Sequence, residues 1–455
     1  MFRGRVAVLG VAVVLGVAVA PSHAAAPVLG PLMRVTTPES SLCAYESEPE
    51  IVSTAVGTWV AYNDDGGCPL VASTPHFTTV QLLRGGHLPA VPIRLPALSG
   101  KDYYSGDPDL APDVTGDGVL LTTLTFKAQT PVSNNIGGLQ VDVIRIAANG
   151  TATLLPSPTL SQSDDKEFLA TDRKRGIVYV AWDDTGRGTL TVRALRGKRW
   201  AAPVDLSTVG AYPDVAVGPT GQVAVAYETT TGVSVRTSDD GGVHFRPEIT
   251  VLTGAGPGRA DPTCPLRPTI GNRQRAIRSP RVAYDRRGAV HVVAALSGPA
   301  LSPLLGEPGT PGLLVGGEGA IQHTVSRDGH TFSPGRMVAA PEGRVQWNPA
   351  LAITPSGGVA VSFLQTADGT LSSYDARLVT LSPSGVASGP LVLSDGVGPL
   401  PPASEAVGNS NCYGIGDYTG LTPTPSGVVA IWPTTFGAAG GAPDSDIAVR
   451  SVRLR

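Results

Sequence analysis

The sequence predicts an all-β fold, and specifically a single β-propeller of seven four-stranded blades. Three observations support this prediction: a two-strand unit recurs along the chain, turn-forming residues are abundant, and helical periodicity is poor. The 455 residues include 56 glycines and 41 prolines, together with many valines and threonines. This composition favours many short strands joined by turns. Prolines and glycine-centred turns interrupt every candidate helical period.

The repeated unit opens with a short strand, often led by proline and an acidic residue, as in Asp107-Pro108-Asp109-Leu110. A glycine-centred turn follows, and then a strongly apolar strand that usually ends in an aromatic residue, as in Val180-Ala181-Trp182. One aliphatic residue anchors each copy: Ile51, Leu110, Leu169, Val215, Val282, Leu351 and Leu421. The number of residues between successive anchors fits a four-stranded antiparallel sheet plus one loop of variable length, which is the unit of a propeller blade. A six-bladed ring with one degenerate copy remains the alternative.

The two ends of the chain predict how the ring closes. The last copy has two inner strands and a third over 446–454, after which the chain ends without a fourth strand. Leu32 to Thr36, ahead of the first copy, forms a short strand with no blade of its own. We therefore expect this N-terminal strand to complete the seventh blade and to leave no open sheet edge.

Residues 1–24 have the pattern of a secretory signal peptide. Arg3 and Arg5 precede an apolar stretch over 6–20, and small residues follow up to Ala24, with cleavage after Ala26 as the alternative. The apolar stretch is shorter than the roughly 18 residues that a membrane-spanning helix needs. The sequence therefore predicts an exported protein in which residues 25–455 form one propeller domain.

Charge and composition restrict the partners. The formal net charge of −3 gives no reason to expect a nucleic acid, and no later segment predicts a membrane partner. We expect a monomer without a cofactor or a bound metal, whose ligand is an extracellular glycan or protein.

Four cysteines follow the signal peptide: Cys43, Cys68, Cys264 and Cys412. An even count in an oxidising compartment predicts two disulfides. No two cysteines lie close in sequence, which disfavours the alternative of a zinc site. Three cysteines precede a first strand and Cys68 follows a second strand, so all four are expected on one face. Cys43–Cys68 and Cys264–Cys412 are the favoured pairs, although spacing alone does not fix them.

Two short motifs occur between the third and fourth strands of their blades. They are Ser238-Asp239-Asp240-Gly241-Gly242-Val243-His244-Phe245 and the shorter Ser326-Arg327-Asp328-Gly329-His330-Thr331-Phe332. Both resemble the Asp box of bacterial neuraminidase repeats. In such a turn the aspartate accepts backbone N–H bonds, glycine permits positive φ and the aromatic ring packs beneath the blade. The predicted structural residues are Ser238, Asp240, Gly242, Phe245, Ser326, Asp328, Gly329 and Phe332.

The stretches 165–184 and 415–432 are also similar to blades of secreted sialidase-like proteins. This resemblance implies a sialidase-superfamily propeller, and it predicts a secreted glycoside hydrolase acting on extracellular glycans. Sialidases bind a substrate carboxylate with three arginines and use a tyrosine nucleophile, a glutamate and an acidic aspartate. The candidates here are Arg278, Arg281 and Arg344 for the arginines, Tyr418 and Glu228 for the nucleophile pair, and Asp109, or alternatively Asp107, for the acid.

Other interpretations of these residues stay open. The acidic residues at strand starts, such as Glu50, Asp109, Asp214 and Asp417, are expected to ring the channel mouth. They are candidates for acid–base chemistry, or they tie neighbouring blades together. The alternative function is a non-catalytic secreted propeller that binds a glycan, peptide or protein at the channel mouth. A lyase on the same scaffold is a third hypothesis, because fold does not fix function. The face carrying the Asp-box turns is expected to be inert.

Overall fold

The computed structural model describes residues 26–36, 46–64, 77–84, 92–99, 102–127, 138–159, 161–257, 259–261, 264–270, 274–297, 319–367, 373–399, 415–437 and 443–454. Within these ranges every regular element is a β-strand, and the sheets form seven blades. The predicted seven-bladed propeller is confirmed, which excludes the six-bladed ring. The described residues include no helix that is long and apolar enough to cross a membrane.

The first half of the chain supplies β1 and blades 1 to 4. Its strands are β1 (Val28–Arg34); in blade 1, β2 (Glu46–Thr54), β3 (Gly57–Asp64) and β4 (Phe77–Leu83); in blade 2, β5 (Tyr103–Tyr104), β6 (Asp109–Pro112), β7 (Val119–Lys127), β8 (Gly138–Ile146) and β9 (Ala152–Leu154); in blade 3, β10 (Asp164–Asp172), β11 (Ile177–Asp184), β12 (Thr189–Arg196), β13 (Arg199–Trp200) and β14 (Val204–Ser207); in blade 4, β15 (Ala211–Val217), β16 (Val223–Glu228), β17 (Gly232–Ser238) and β18 (Ile249–Thr253). In blade 1 three strands are regular, and Ile93 N donates to Val80 O where a fourth strand would lie.

The second half supplies a small insertion and blades 5 to 7. The insertion is the sheet β19 (Arg259–Asp261), β20 (Cys264–Ile270) and β21 (Gln274–Arg275). The blade strands are, in blade 5, β22 (Arg281–Tyr284), β23 (Val290–Ser297), β24 (Gly319–Ser326) and β25 (Arg336–Met337); in blade 6, β26 (Gln346–Ile353), β27 (Val359–Thr366), β28 (Ser373–Leu381), β29 (Ala387–Val392) and β30 (Gly398–Pro399); in blade 7, β31 (Gly420–Thr424), β32 (Gly427–Gly437) and β33 (Pro443–Arg453).

The N-terminal strand closes the ring as predicted, although it starts four residues earlier than expected. Strand β1 pairs antiparallel with β33, with Met33 opposite Val449. Arg34 Nε donates to Asp446 Oδ1 over 2.7 Å, and Thr36 Oγ1 donates to the same oxygen over 2.6 Å. The two ends of the chain therefore share blade 7, and β33 does not present a free edge.

The core lies between successive blades. The second strand of blade 3 is apolar almost throughout, because its two faces pack on different neighbours. Val178, Val180 and Trp182 pack against Leu120 and Val141 of blade 2. Tyr179 and Ala181 point the other way and pack against blade 4. Burial on both faces explains the near-continuous apolar runs that define the repeat.

The strand order gives the ring two faces. The first strand of each blade runs from the face that we call the loop face to the opposite turn face, which carries the turns between strands one and two and between strands three and four. Neighbouring turns touch: Lys174 Nζ donates to Pro219 O over 2.8 Å, and Thr237 Oγ1 donates to Gly329 O over 3.2 Å. The turns of blades 3, 4 and 5 therefore form one continuous surface.

One backbone feature recurs where the first strands begin. Six residues, each three positions before the aliphatic anchor, have left-handed backbone φ values between 43° and 56°. They are Glu48, Asp107, Lys166, Tyr212, Ser279 and Asn348. In blades 1, 3, 4 and 6 a β-bulge lies at this point. Bulges re-aim side chains, and here residues on both sides of the bulge meet at the axis of the ring.

Candidate functional site

The first group of axial side chains surrounds Arg281 and is called here the arginine layer. Arg281 Nη2 donates to Glu50 Oε1 and, over 3.1 Å, to Thr419 O. Asp109 Oδ2 accepts from Leu169 N over 2.6 Å, and Asp214 Oδ2 accepts from Val282 N over 2.7 Å. Each of these two carboxylates therefore bonds the backbone of the following blade. The layer consists of Glu50, Asp109, Asp214 and Arg281.

The second group lies nearer the loop face, surrounds Lys166, and is called the lysine layer. Lys166 Nζ is 2.6 Å from Asp107 Oδ1, 3.2 Å from Asp417 Oδ2 and 3.8 Å from Glu48 Oε1. All four side chains are buried. Lys166 thus links blades 1, 2, 3 and 7 across the axis of the ring.

Tyr418 contacts both layers. Its ring centroid lies 5.3 Å from Lys166 Nζ and 5.5 Å from Arg281 Cζ. Phe168 packs edge-on against it at 5.0 Å between centroids. The Tyr418 hydroxyl is buried and makes no hydrogen bond within the described residues. Burial raises the pKa of this phenol well above its ordinary value.

A cavity of about 300 Å³ begins at the arginine layer and follows the channel towards the turn face. Its walls come from the anchor aliphatics, including Ile51, Leu110 and Leu169, and its far end includes Ser53 and Pro423. Apolar walls with a few polar groups at one end are typical of small-molecule sites, and this volume is at the lower end of their range.

Burial along the first strands shows which face the cavity meets. The lysine layer is at most 2% exposed, whereas Ser53, Pro112 and Val217, near the other ends of their strands, are half-buried and Pro423 is exposed. The axial layers close the channel on the loop-face side, and the cavity widens to solvent on the turn-face side. The cavity therefore opens on the face that the sequence predicts to be inert.

The arginine layer contains three carboxyl groups and one guanidinium, so its acidic groups outnumber its cation. Burial raises the pKa of Glu50 to about 7, against the opposing pull of Arg281. Burial likewise raises the pKa of Asp214 to about 6. Burial and the neighbouring Glu50 raise the pKa of Asp109 well above its ordinary value. The layer therefore retains bound protons near neutral pH.

The lysine layer behaves differently. Burial alone would raise the pKa of Asp107, but the attraction of Lys166 and the hydrogen bonds of neighbouring side chains together hold this pKa below its ordinary value. The neighbouring Glu167 is fully buried, and neither of its carboxyl oxygens has a hydrogen-bond partner in the described structure. Burial raises the pKa of Glu167 well above its ordinary value.

Of the predicted catalytic and substrate-binding residues, the structure brings Asp109, Arg281 and Tyr418 together at the axis. Glu228 lies elsewhere: its Oε1 accepts from Arg278 N over 2.7 Å, and its Oε2 is 3.3 Å from Arg278 Nη1. Arg278 and Arg281 therefore each pair already with a protein carboxylate.

Arg344, the third predicted arginine, is half-buried in the segment before β26. Its backbone N–H donates to Pro341 O over 3.0 Å. No hydrogen bond or ion pair joins its guanidinium to Arg278, Arg281 or their carboxylate partners in the described part of the chain.

The two predicted Asp-box turns are held by their own aspartates. Asp240 Oδ1 accepts from Val243 N and His244 N, both over 3.0 Å. Asp328 Oδ1 accepts from His330 N over 2.8 Å and from Thr331 N over 2.7 Å. Ser238 and Ser326 donate to these same carboxylates, Gly242 and Gly329 have positive φ, and Phe245 and Phe332 are half-buried. The backbone donors lower the pKa of both aspartates.

Several predicted features lie outside the described residues. These are residues 1–25 and three of the four cysteines, Cys43, Cys68 and Cys412; for Cys264 only the backbone, in β20, is described. The signal peptide and the disulfides stay predictions. Within the described ranges no group of three histidine, cysteine, aspartate or glutamate side chains has an arrangement suited to a metal ion.

Sequence reasoning missed Lys166. The signal was present, because blade 3 replaces the usual proline and acidic residue with Lys166-Glu167-Phe168. The same position, three residues before the anchor, holds Glu48 in blade 1 and Asp107 in blade 2. A lysine at this position in blade 3 predicts an ion pair with those acids. Its closeness to Asp417 depends on ring closure and is not visible in the sequence.

Comparison with known proteins adds the following. No protein-family model matches the chain, and no curated protein does. Among solved structures, the GH93 α-L-arabinofuranosidase of Fusarium graminearum has a TM-score of 0.49 and 11% identity over 92% of this chain and 97% of that chain. A protein of unknown function from Dyadobacter fermentans has a TM-score of 0.47 and 12% identity over 93% and 99%. The sialidase of Trypanosoma rangeli has a TM-score of 0.45 and 11% identity over 94% and 59%. Likenesses of this size carry no argument about activity.

Proposed function

We propose that this chain is an exported glycoside hydrolase that acts on an extracellular glycan in the channel cavity. The observation that carries the proposal is one end of that cavity of about 300 Å³, where three carboxyl groups surround Arg281. Glycoside hydrolysis needs two carboxyl groups whose protonation states differ, and this arrangement supplies candidates for both.

Asp214 is the carboxyl group best placed to exchange a proton with a ligand. It is half-buried and lines the cavity, while its Oδ2 is held by Val282 N over 2.7 Å. Desolvation of its carboxyl group raises its pKa to about 6, so Asp214 is ionised near neutral pH and can act as the base or nucleophile. A general acid is most effective when its pKa lies near the working pH. Glu50, whose pKa burial raises to about 7, supplies this acid, and Asp109, whose pKa burial also raises, is the alternative.

Sialidase activity is the finer form of this proposal. The Asp-box motifs and the meeting of Asp109, Arg281 and Tyr418 support it. The pairing of Arg278 with Glu228 and of Arg281 with Glu50 leaves these arginines engaged with protein carboxylates, which favours the broader class.

The test is a panel of fluorogenic glycosides that includes a sialoside and an α-L-arabinofuranoside. For a substrate that is turned over, Asp214→Asn is expected to lower kcat by about 100-fold or more, as for loss of a catalytic carboxylate. The activity of the wild type should fall as pH rises through about 7, since the acid form of Glu50 is then lost, and as pH falls below about 6, since Asp214 is then protonated.

Asp117→Asn is the matched control, because Asp117 is an exposed aspartate in a turn of blade 2. Thermal unfolding of both variants separates loss of chemistry from loss of fold. The proposal fails if no glycoside is turned over by the wild type, or if folded Asp214→Asn retains full activity.

A non-catalytic binding propeller is the second candidate. Asp109 and Asp214 accept backbone N–H groups of the next blade, which is a structural use of these carboxylates. Isothermal titration with oligosaccharides decides between the two: saturable heat without any turnover favours binding alone.

A further inference from the structure

The turns of blades 3 and 5 expose an unusual density of positive charge. The chain has a net charge of −3, yet these turns carry nine exposed cationic side chains. They are Arg173, Lys174, Arg175, Arg196, Lys198, Arg199, Arg286, Arg287 and Arg327, called here the basic turn surface. In the described turns of blades 3 to 5 the exposed carboxylates are Asp239, Asp240, Glu248 and Asp328.

Contacts between turns show that this surface is continuous. Arg175 donates to Thr220 O, and Arg196 Nη2 donates to Gly241 O over 2.9 Å, so blade 3 reaches across to blade 4. Arg246 of blade 4 contacts His330 of blade 5, with 2.7 Å between Arg246 Nη1 and His330 Nδ1. The positive side chains of blades 3 and 5 therefore flank the turns of blade 4, which contact both groups.

Most of these cations are not used by the fold. Arg173, Lys198, Arg199, Arg286, Arg287 and Arg327 make no side-chain ion pair with any described carboxylate. Seven of the nine cations are arginines, whose planar guanidinium binds carboxylates and sulfates with two hydrogen bonds. An unneutralised cluster of arginines fits a partner with repeated anionic groups.

The position of the basic turn surface identifies the kind of polymer. The channel cavity widens to solvent on this same turn face, so a polymer on the basic turn surface lies beside the mouth of the cavity. Recognition of single-stranded nucleic acid uses exposed aromatic rings, and the large exposed hydrophobic residues in these turns are Val243 and Met337. We propose that the basic turn surface binds an acidic polysaccharide and presents one of its sugars to the channel cavity. This inference rests on the proposed function and names its substrate class.

The experiment measures retardation of the full chain in native gels that contain alginate, a polyuronate, with dextran as the neutral polymer. The wild type should be retarded by alginate, not by dextran, and the effect should weaken with added salt. The quadruple variant Arg173→Ser, Lys198→Ser, Arg286→Ser and Arg287→Ser should bind alginate on the order of tenfold more weakly, as expected for several exposed ion pairs.

The control is Arg94→Ser with Arg453→Ser, two exposed arginines in blades 1 and 7. This variant should bind alginate within about twofold of the wild type. Equal retardation by dextran, or an equal loss in the control, overturns the proposal. Tighter binding of a 20-base-pair DNA duplex than of alginate also overturns it, in favour of a nucleic-acid partner.

The two proposals fail separately. If small glycosides are hydrolysed but alginate is not bound, the substrate class is wrong and the hydrolase proposal stands. If alginate is bound through the basic turn surface but no glycoside is cleaved, the proposed polysaccharide-binding surface is supported and the hydrolase proposal fails.

Discussion

At the scale of single residues, two buried cations organise the centre of the molecule. Lys166 meets three carboxylates from three other blades, and Arg281 pairs with Glu50, which lies 231 residues away in sequence. Burying a charge is costly unless it is paired, and here each buried cation lies beside carboxylates that neutralise its charge. Truncating either cation leaves buried carboxylates without compensation, so each of these residues has a large effect on stability.

Replacing Lys166 with methionine tests this argument. Lys166→Met is expected to lower the free energy of unfolding by about 3–5 kcal/mol, because Asp107 and Asp417 lose their buried cation. Urea unfolding followed by tryptophan fluorescence measures the change. Lys198→Met, at an exposed turn position, should change stability by less than about 0.5 kcal/mol. Equal stability of the two variants would show that the lysine layer is not needed.

At the scale of elements, the turns that join the third and fourth strands of blades 4 and 5 are determined by their local sequence. In blade 4 the aspartate, the glycine and the backbone donors of the turn all lie within residues 238–245. Because these contacts are local in sequence, the motif is visible without the structure. The first strands are the opposite case, because their left-handed residues are of six different types and share no sequence signature beyond a following proline in five copies.

Substitution of the blade 4 aspartate tests the turn. Asp240→Ala removes the acceptor of Val243 N and His244 N and is expected to cost about 1 kcal/mol of stability, as does loss of a helix-capping side chain. Chemical denaturation gives the value. Asp239→Ala is the neighbouring control, since Asp239 forms an exposed pair with Arg246 and should contribute less. A larger loss in the control than in Asp240→Ala would contradict the assignment.

At the scale of the whole molecule, the ring is closed by pairing of the two ends of the chain. Strand β1 covers the outer edge of β33. At the end of β1, the side chains of Arg34 and Thr36 donate hydrogen bonds to Asp446 of β33. The axial layers add a second closure, because Lys166 links blades 1 and 7 through Glu48 and Asp417. Stability of the ring therefore depends on contacts between residues that are remote in sequence.

Truncation tests the closure. A protein that starts at Thr36 lacks β1 and exposes the edge of β33, so it should unfold at a lower temperature and be cleaved by protease within β32 and β33. Limited proteolysis with mass spectrometry locates the cuts, and differential scanning fluorimetry gives the melting temperature. A protein that starts at Ala26 is the control. Equal protease resistance of the two proteins would show that β1 does not close the ring.

The sequence by itself determined the seven repeats, the apolar inner strands, the closing strand and two tight turns that their own aspartates hold. Each of these depends on local pattern: alternation, turn chemistry, or a strand left over at one end. The pattern also placed acidic residues at the starts of the first strands, and Asp109, Arg281 and Tyr418 among the candidate residues.

Only the tertiary structure decided which of these side chains meet. Closing the ring brings residues from six blades to one axis, and six of the seven first strands begin at a left-handed residue. Glu228, chosen as a partner for Tyr418, pairs instead with Arg278, while Lys166 was not foreseen. The cavity and its turn-face mouth follow from the same convergence, because the two axial layers fill the channel on the other side. Local sequence carries no information about distances across the ring, and so it did not fix the site.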